Sequence, residues 1–463
     1  MKQNLSTLLN MEATLSQADN VPLIGELALT LQSQPRAPYV ASRSQVSSYC
    51  PQNIVTHTGT NVMQFTIADS LAWCDPKSVA ISMIITNTGA QPLEFLSTNM
   101  ESLFSRMQVT MGGVIVEDHT QNYGRLCTLF TKYQSVEKIL ECSSMQLGTR
   151  QDMTATGADA VKPVKPQLFS VEEILPNKIP AGEKRRVVMR LTMSSIFSGT
   201  DKWLPIFSLN GGIRVQMTLD AAANVVKVND AAGQPTQSNQ FQIEAAVLLW
   251  DAVTLDSALQ EKYFAQLASG GSLLLETTQF STSEVYLPLN QAGSVIASIN
   301  KPVSRLNSVF CSFVPPLTAD DKLAGKQIVN TFQGYGDFAY SRNDLVMQLS
   351  LGSTLYPMRP VHGYSEAYFR LLRTLGIVAS QAHAIGPSRN DFNTNSFCLA
   401  TDCEKVSTVA STGVNVQGIE TRAECSFLAN GANNVNSGVS RIFFHMHYQV
   451  FVEIRAGSCT LLT

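Results

Sequence analysis

Along most of the chain apolar and polar residues alternate with a period of two. Met63, Phe65 and Ile67 are separated by Gln64 and Thr66, and Val79, Ile81, Met83 and Ile85 follow. Val187, Met189, Leu191 and Met193 repeat the pattern, and Ile213, Val215, Met217 and Leu219 alternate with Arg214, Gln216 and Thr218. Alternation of this kind predicts strands with one face in a core and the other outside. Gly, Asn, Pro and Asp fill the gaps, as expected of sandwiches or barrels.

Helical spacing is rare. Leu255, Leu259, Tyr263 and Leu267 recur every fourth residue, and Gly270-Gly271 supplies a stop. That helix falls near the middle of the chain and predicts a connector between two domains. A repeat supports the division. Met107-Gln108-Val109-Thr110-Met111-Gly112-Gly113 is matched by Met347-Gln348-Leu349-Ser350-Leu351-Gly352-Ser353, with a glycine ending each run where a strand would bend. Each copy is followed by an aromatic-rich helical stretch, Tyr123–Phe130 in the first and Tyr364–Leu372 in the second. Each half then closes on a long apolar strand, Phe241–Trp250 and Arg441–Arg455. The expected fold is all-β: two tandem eight-stranded jelly-roll sandwiches joined by a short helix. The divisions predicted are an extended arm over 1–45, a first jelly roll over 46–252, a connecting helix over 253–271 and a second jelly roll over 272–463. The arm has one weakly amphipathic segment, Leu5–Leu15, and ends in Gln34-Pro35-Arg36-Ala37-Pro38, whose prolines favour an extended path.

Composition changes this picture in one respect. Only 15% of the 463 residues are charged, against about 25% in ordinary globular domains. Few solvated charges imply that much of the outer surface is buried against partners. The balance, 33 basic against 36 acidic residues, provides no basic excess for phosphate-driven nucleic-acid binding. The one compact basic cluster, Lys184-Arg185-Arg186, opens an alternating strand and reads as a solvated edge. The nine cysteines are scattered, odd in number and without a CxxC pair, so they read as free thiols in a reducing compartment. No signal-like N-terminal run and no stretch of about 18 apolar residues is present; the expectation is a soluble chain made in the cytosol.

Catalytic signatures are missing from the sequence: no phosphate loop, dinucleotide fingerprint, GxSxG elbow, HExxH or calcium loop. No catalytic, cofactor-binding or metal-ligating residue is therefore expected. His445-Met446-His447 is the best metal candidate, since alternate strand positions put both imidazoles on one face. The face also carries Gln449, Glu453 and Arg455, and no third ligand is near in sequence. It reads instead as a polar sheet face against a partner or water. Glu172-Glu173 and Asp320-Asp321 are adjacent pairs that splay apart, unsuited to converging acid–base work. Trp250 ends an apolar strand and reads as core, whereas Trp73 and Trp203 stand in loop-like sequence and remain open as sugar-stacking platforms.

Four stretches carry a family resemblance: Ser102–Gly113 through Glu117-Asp118 to Asn122-Tyr123, Leu249–Asp256, Pro302–Leu306 with Val309-Phe310, and His447 with Val452–Arg455. They resemble the major capsid protein of polinton-like viruses and adintoviruses, in the adenovirus-type double jelly-roll lineage. The resemblance implies a structural protein and not an enzyme. It implies a homotrimeric, pseudo-hexagonal capsomer that tiles the icosahedral shell of a DNA virus, located in the virion and made in the host cytoplasm. Implied partners are the chain itself, neighbouring capsomers, and penton and minor capsid proteins, with room for an inner membrane layer and no direct sequence-specific nucleic-acid binding. The alternatives are a minor virion protein (penton or spike) and a carbohydrate-binding β-sandwich protein.

Overall fold

The computed structural model describes residues 40–134, 178–226, 238–287, 293–334, 345–377, 396–404, 413–427 and 439–462 with Phe392, apart from single positions inside those ranges. The Leu5–Leu15 segment and Glu172-Glu173 lie outside the described residues.

The first half contributes β1 (Val40–Tyr49), β2 (Ile54–Thr56), β3 (Val62–Ile67), β4 (Trp73–Asn87), β5 (Leu93–Glu94), β6 (Phe104–Met111), β7 (Val114–His119), β8 (Lys178–Ile179), β9 (Lys184–Arg190), β10 (Ile213–Leu219) and β11 (Phe241–Leu255). One sheet runs β1-β11-β4-β9 with β2 also on β11, and the facing sheet runs β3-β10-β6-β7. The second half contributes β12 (Leu273–Tyr286), β13 (Gly293–Ser298), β14 (Leu306–Val314), β15 (Leu345–Leu351), β16 (Thr354–His362), β17 (Cys398–Asp402), β18 (Thr421–Phe427), β19 (Arg441–Arg455) and β20 (Ser458–Leu462). Its sheets run β12-β19-β14-β17, with β20 also on β19, and β13-β18-β15-β16.

Both halves obey one rule. With the short strands β2, β5, β8 and β20 set aside, the eight remaining in each half read first-eighth-third-sixth in one sheet and second-seventh-fourth-fifth in the other. That order is the jelly roll, used twice. Gly112 and Gly352 fall at the same point of it, between the fourth and fifth strands. Both have positive φ, +53° and +61°, a conformation in which a side chain would crowd the backbone.

The alternating sequence explains the cores. Val215 of β10 stands opposite Phe65 of β3 and Val109 of β6, and all three are buried. Ile81 and Met83 of β4 and Val187 and Met189 of β9 face them from the other sheet. Each such side chain contributes roughly 1.5–3 kcal/mol on full burial. The free cysteines Cys50, Cys74, Cys127, Cys311, Cys398, Cys403 and Cys459 are all buried, packed as small apolar groups.

Helix α1 (Tyr123–Lys132) follows β7, α2 (Ser257–Ala268) links the halves, and α3 (Gly363–Thr374) follows β16. Asp256 caps α2 by accepting from the Ala258 amide, and the Gly270 and Gly271 amides donate to Leu267 and Gln266 at its end. One boundary differs from the sequence reading. β1 begins at Val40, inside the stretch assigned to the arm, and pairs with β11 from Val40 to Tyr49. Its side chains are mostly exposed over Val40–Gln45 and alternate only from Val46 on. The backbone ladder holds it, together with Arg43, which bridges Asp75 of β4 and Asp251 of β11 at 2.7 and 2.8 Å. β11 likewise runs on to Leu255, past the expected end at 252.

Candidate functional site

Buried polar and ionisable side chains gather at the seam between the two sandwiches, and α1 builds it. The helix sits tightly on the turn Met100–Leu103: a Cβ on Gly124 would lie 2.5 Å from the Ser102 carbonyl oxygen. Tyr123 and Cys127 point into the first core, while Leu129, Phe130 and Tyr133 belong to the core of the second. Phe130 packs between Phe280 of β12 and Phe310 of β14, with ring centres 4.8 and 5.2 Å away. The Tyr133 hydroxyl donates to the Ser396 carbonyl at 2.8 Å.

Arg125 is the centre of the seam. Its guanidinium is fully buried, and its hydrogen-bond partners among the described residues are carbonyls and a hydroxyl. It donates to the carbonyls of Ile328 and Thr331 at 2.6 and 2.8 Å, and to Ser312 Oγ and the Phe313 carbonyl at 3.1 and 3.4 Å. The rings of Phe332 and Phe443 lie 4.1 and 4.5 Å from its central carbon. Planar, delocalised Arg suits such a sandwich, whereas a compact ammonium would not. Burial pulls its pKa down to about 9, so it stays a cation at neutral pH. Its Nε finds no acceptor among the described residues.

Two buried carboxylates lie on the first-sandwich side. Glu117 of β7 contacts His119 Nε2 at 2.8 Å and accepts from the Ser194 hydroxyl and the Ser195 amide, each at 2.8 Å. Burial pushes its pKa up, but the His119 contact and the other donors outweigh burial and leave it lowered. Glu101 accepts from the Tyr123 hydroxyl at 2.7 Å and from the Thr192 amide and hydroxyl. There burial dominates and raises the pKa. Across the seam Thr277 donates to the Ser195 carbonyl at 2.6 Å and Gln279 to the Val116 carbonyl at 2.5 Å. Both carboxylates are buried and fully engaged by these donors. The network aligns β7, α1 and β12 and satisfies groups that burial would otherwise penalise.

His445 and His447 do share a face of β19, as their spacing implies, but the cover is different. Around the two histidines that face is covered by α1 of the same chain, whereas Arg455, further along it, is exposed. His445 is fully buried. Its Nδ1 meets Thr282 Oγ1 at 2.8 Å and its Nε2 meets Ser312 Oγ at 3.4 Å. His447 stacks on Phe280 with centroids 4.6 Å apart. Burial lowers their pKa values to about 3 and about 4, with the Arg125 charge adding to the effect on His445. Both are neutral at pH 7. No group of three or more His, Cys, Asp or Glu side chains is placed to hold a metal among the described residues.

The other singled-out residues are scattered. Lys184-Arg185-Arg186 opens β9, an edge strand, where Lys184 pairs with Glu244 at 2.7 Å. Asp321 is engaged by Thr318 and Lys326, which hold its pKa down at about 2. Trp73, read as lying in a loop, begins β4. It is buried edge-on against Phe207 and Tyr263 and donates to Gln260 of α2 at 2.9 Å. It is therefore no stacking platform. Trp203 packs partly buried in the same cluster, and Trp250 is core. Arg125 escaped the sequence reading, because one Arg in Tyr-Gly-Arg-Leu carries no periodic signal. Only the pairing of the halves explains it.

No protein-family model matches the chain, and no curated protein matches its sequence. Solved structures do match in fold. PBCV-1 VP54, as fitted into a cryo-EM reconstruction of the virophage Sputnik, aligns with TM-score 0.60 at 13% identity over 94% of this chain and 99% of that one. The Faustovirus major capsid protein gives 0.59 at 9% identity over 98% of each chain. The cryo-EM structure of the Sputnik virophage gives 0.57 at 11% identity over 95% and 92%. The neighbours span both halves of the chain, so what this chain shares with them is the complete tandem jelly-roll fold.

Proposed function

We propose that the chain is a viral major capsid protein, of the polinton-like or adintovirus type that the four sequence stretches resemble, and that it has no catalytic role. The observation that carries the reading is the locked pairing of two sandwiches of identical topology, with α1 of the first seated on a sheet of the second. Two like blocks held side by side make one third of a ring of six, so three copies give a pseudo-hexagonal capsomer. The chain divides, in this reading, into a segment before Val40 that engages neighbours, two jelly rolls and the α2 linker. Neighbouring capsomers, penton and minor capsid proteins are the natural partners, and the virion the location. The scarcity of charge supports burial of the flanks in a trimer and then a lattice.

Light scattering of the purified protein tests this reading. The expected mass is about three times the 50.4 kDa of one chain, with six-lobed particles in negative stain. A stable monomer at micromolar concentration under every salt condition sinks the proposal.

A further inference from the structure

The seam inside the chain has a counterpart elsewhere in the repeat, exposed in part among the described residues. On α1, Tyr123 and Cys127 point into their own sandwich, while Arg125, between them, reaches the outer face of β12-β19-β14-β17. The second sandwich carries α3 at the same place, after its own fifth strand. Ala367 and Leu371 of α3 point into their own core. Phe369, between them, is 50% exposed. Residues two apart on a helix face opposite sides, so Phe369 stands on α3 as Arg125 stands on α1. The ion pairs of Glu366 with Arg359 and Arg370 supply a polar rim beside it.

The receiving face is repeated as well. The first sandwich has the sheet β1-β11-β4-β9, equivalent in strand order to the one that α1 covers. Its inward positions are Leu248, Trp250, Ile81, Met83, Val187 and Met189. A sheet that faces water alternates with polar residues, yet the intervening outward positions include Leu249, Val247, Ile84 and Val188, all half-buried. Tyr49, opposite Val247 on β1, is 74% exposed.

We infer that α3 of one copy docks through Phe369 on the outer face of β1-β11-β4-β9 of a second copy, repeating between chains the contact that α1 makes within one. The inference rests on the capsomer reading and names its contact surfaces. Each chain then offers one helix and one sheet face. The contact is head-to-tail and closes a ring rather than pairing two identical patches. The occupant of the sheet is a copy of this chain because the chain already carries, in α3, the counterpart of the element that covers the equivalent sheet.

The experiment uses Phe369→Glu and Leu249→Glu, one on each surface, with folding checked by near-UV circular dichroism and cooperative melting. Each variant alone is expected to fall to the 50.4 kDa chain mass. Mixing the two restores one intact contact per pair, so a species of about twice that mass appears and grows no further. The milder Phe369→Ala, which removes no core residue, is expected to weaken self-association at least about tenfold. Retention of the wild-type mass by both folded charge variants overturns the inference, as does a mixture of folded variants that stays monomeric. A monomeric wild-type protein instead overturns the capsomer reading itself, and the two failures are thereby told apart.

Discussion

The guanidinium of Arg125, from the first sandwich, lies 4.5 Å over the ring of Phe443 in the second. The contact joins a helix residue to a strand residue on opposite sides of the seam, and four hydrogen bonds to other atoms of the second half surround it.

Replacing Arg125 with Ala empties a large volume and takes a donor from the Ile328 and Thr331 carbonyls and the Ser312 hydroxyl, while the Phe313 carbonyl keeps the Gln333 amide. Cavity and unsatisfied-acceptor costs together amount to about 3–5 kcal/mol. Arg125→Met keeps most of the volume, although the acceptors still lose their donor, and loses about half as much. Guanidinium unfolding should report these losses, with the Ala variant melting in two steps as the halves uncouple. An unchanged single transition would show that the seam does not depend on this side chain.

Acid should weaken the fold through His445 and His447. Their folded pKa values, about 3 and about 4, lie below the ordinary 6.5. Below pH 6.5 the unfolded chain therefore binds protons that the folded chain refuses, and stability falls with falling pH until the folded values are reached. For His445 the loss at pH 5 is about 2 kcal/mol. Melting temperature followed from pH 7.5 to 5 should decline, and the decline should flatten in the His445→Gln/His447→Gln double variant, which should still assemble at pH 7.5. An equal slope in both proteins would remove the histidines from the account.

The start of β1 sets where the chain can be cut. Deleting residues 1–39 leaves every described pairing of β1 with β11 in place, so the melting temperature should stay within a few degrees. Deleting 1–44 also removes the Val40–Ser44 pairings and the Arg43 bridge between Asp75 and Asp251, and stability should drop by about 1–3 kcal/mol. Equal melting of the two truncations would mean that this end of β1 contributes nothing. If the 1–39 truncation melts normally yet forms fewer closed particles, the removed segment acts between capsomers.

The cores were legible because they use the simplest code. Phe65, Val109 and Val215 alternate with polar neighbours, and one burial rule places all three. The repeat of Gly112 at Gly352 was legible for a related reason, since a positive φ leaves glycine as the ordinary choice. The seam was not. His445 and His447 looked like a solvent or partner face because period two tells which residues share a side, not what lies over it. Arg125 gave no warning at all: its partners Ser312, Phe332 and Phe443 are far away in sequence. β1 was cut short for another reason, since a strand held by backbone and one bridging Arg leaves little trace in hydropathy.

The hairpin β19–β20 has a consequence in time. Cys459 donates to the Met111 carbonyl, 348 positions earlier, at 3.0 Å, and the Gly457 amide donates to the Ser208 carbonyl at 2.7 Å. The turn at Gly112, built early in synthesis, thus waits for residues that leave the ribosome much later. Such distant closure is slow. Contacts that complete the first sandwich are supplied by residues 457–459, which are made only after most of the second half.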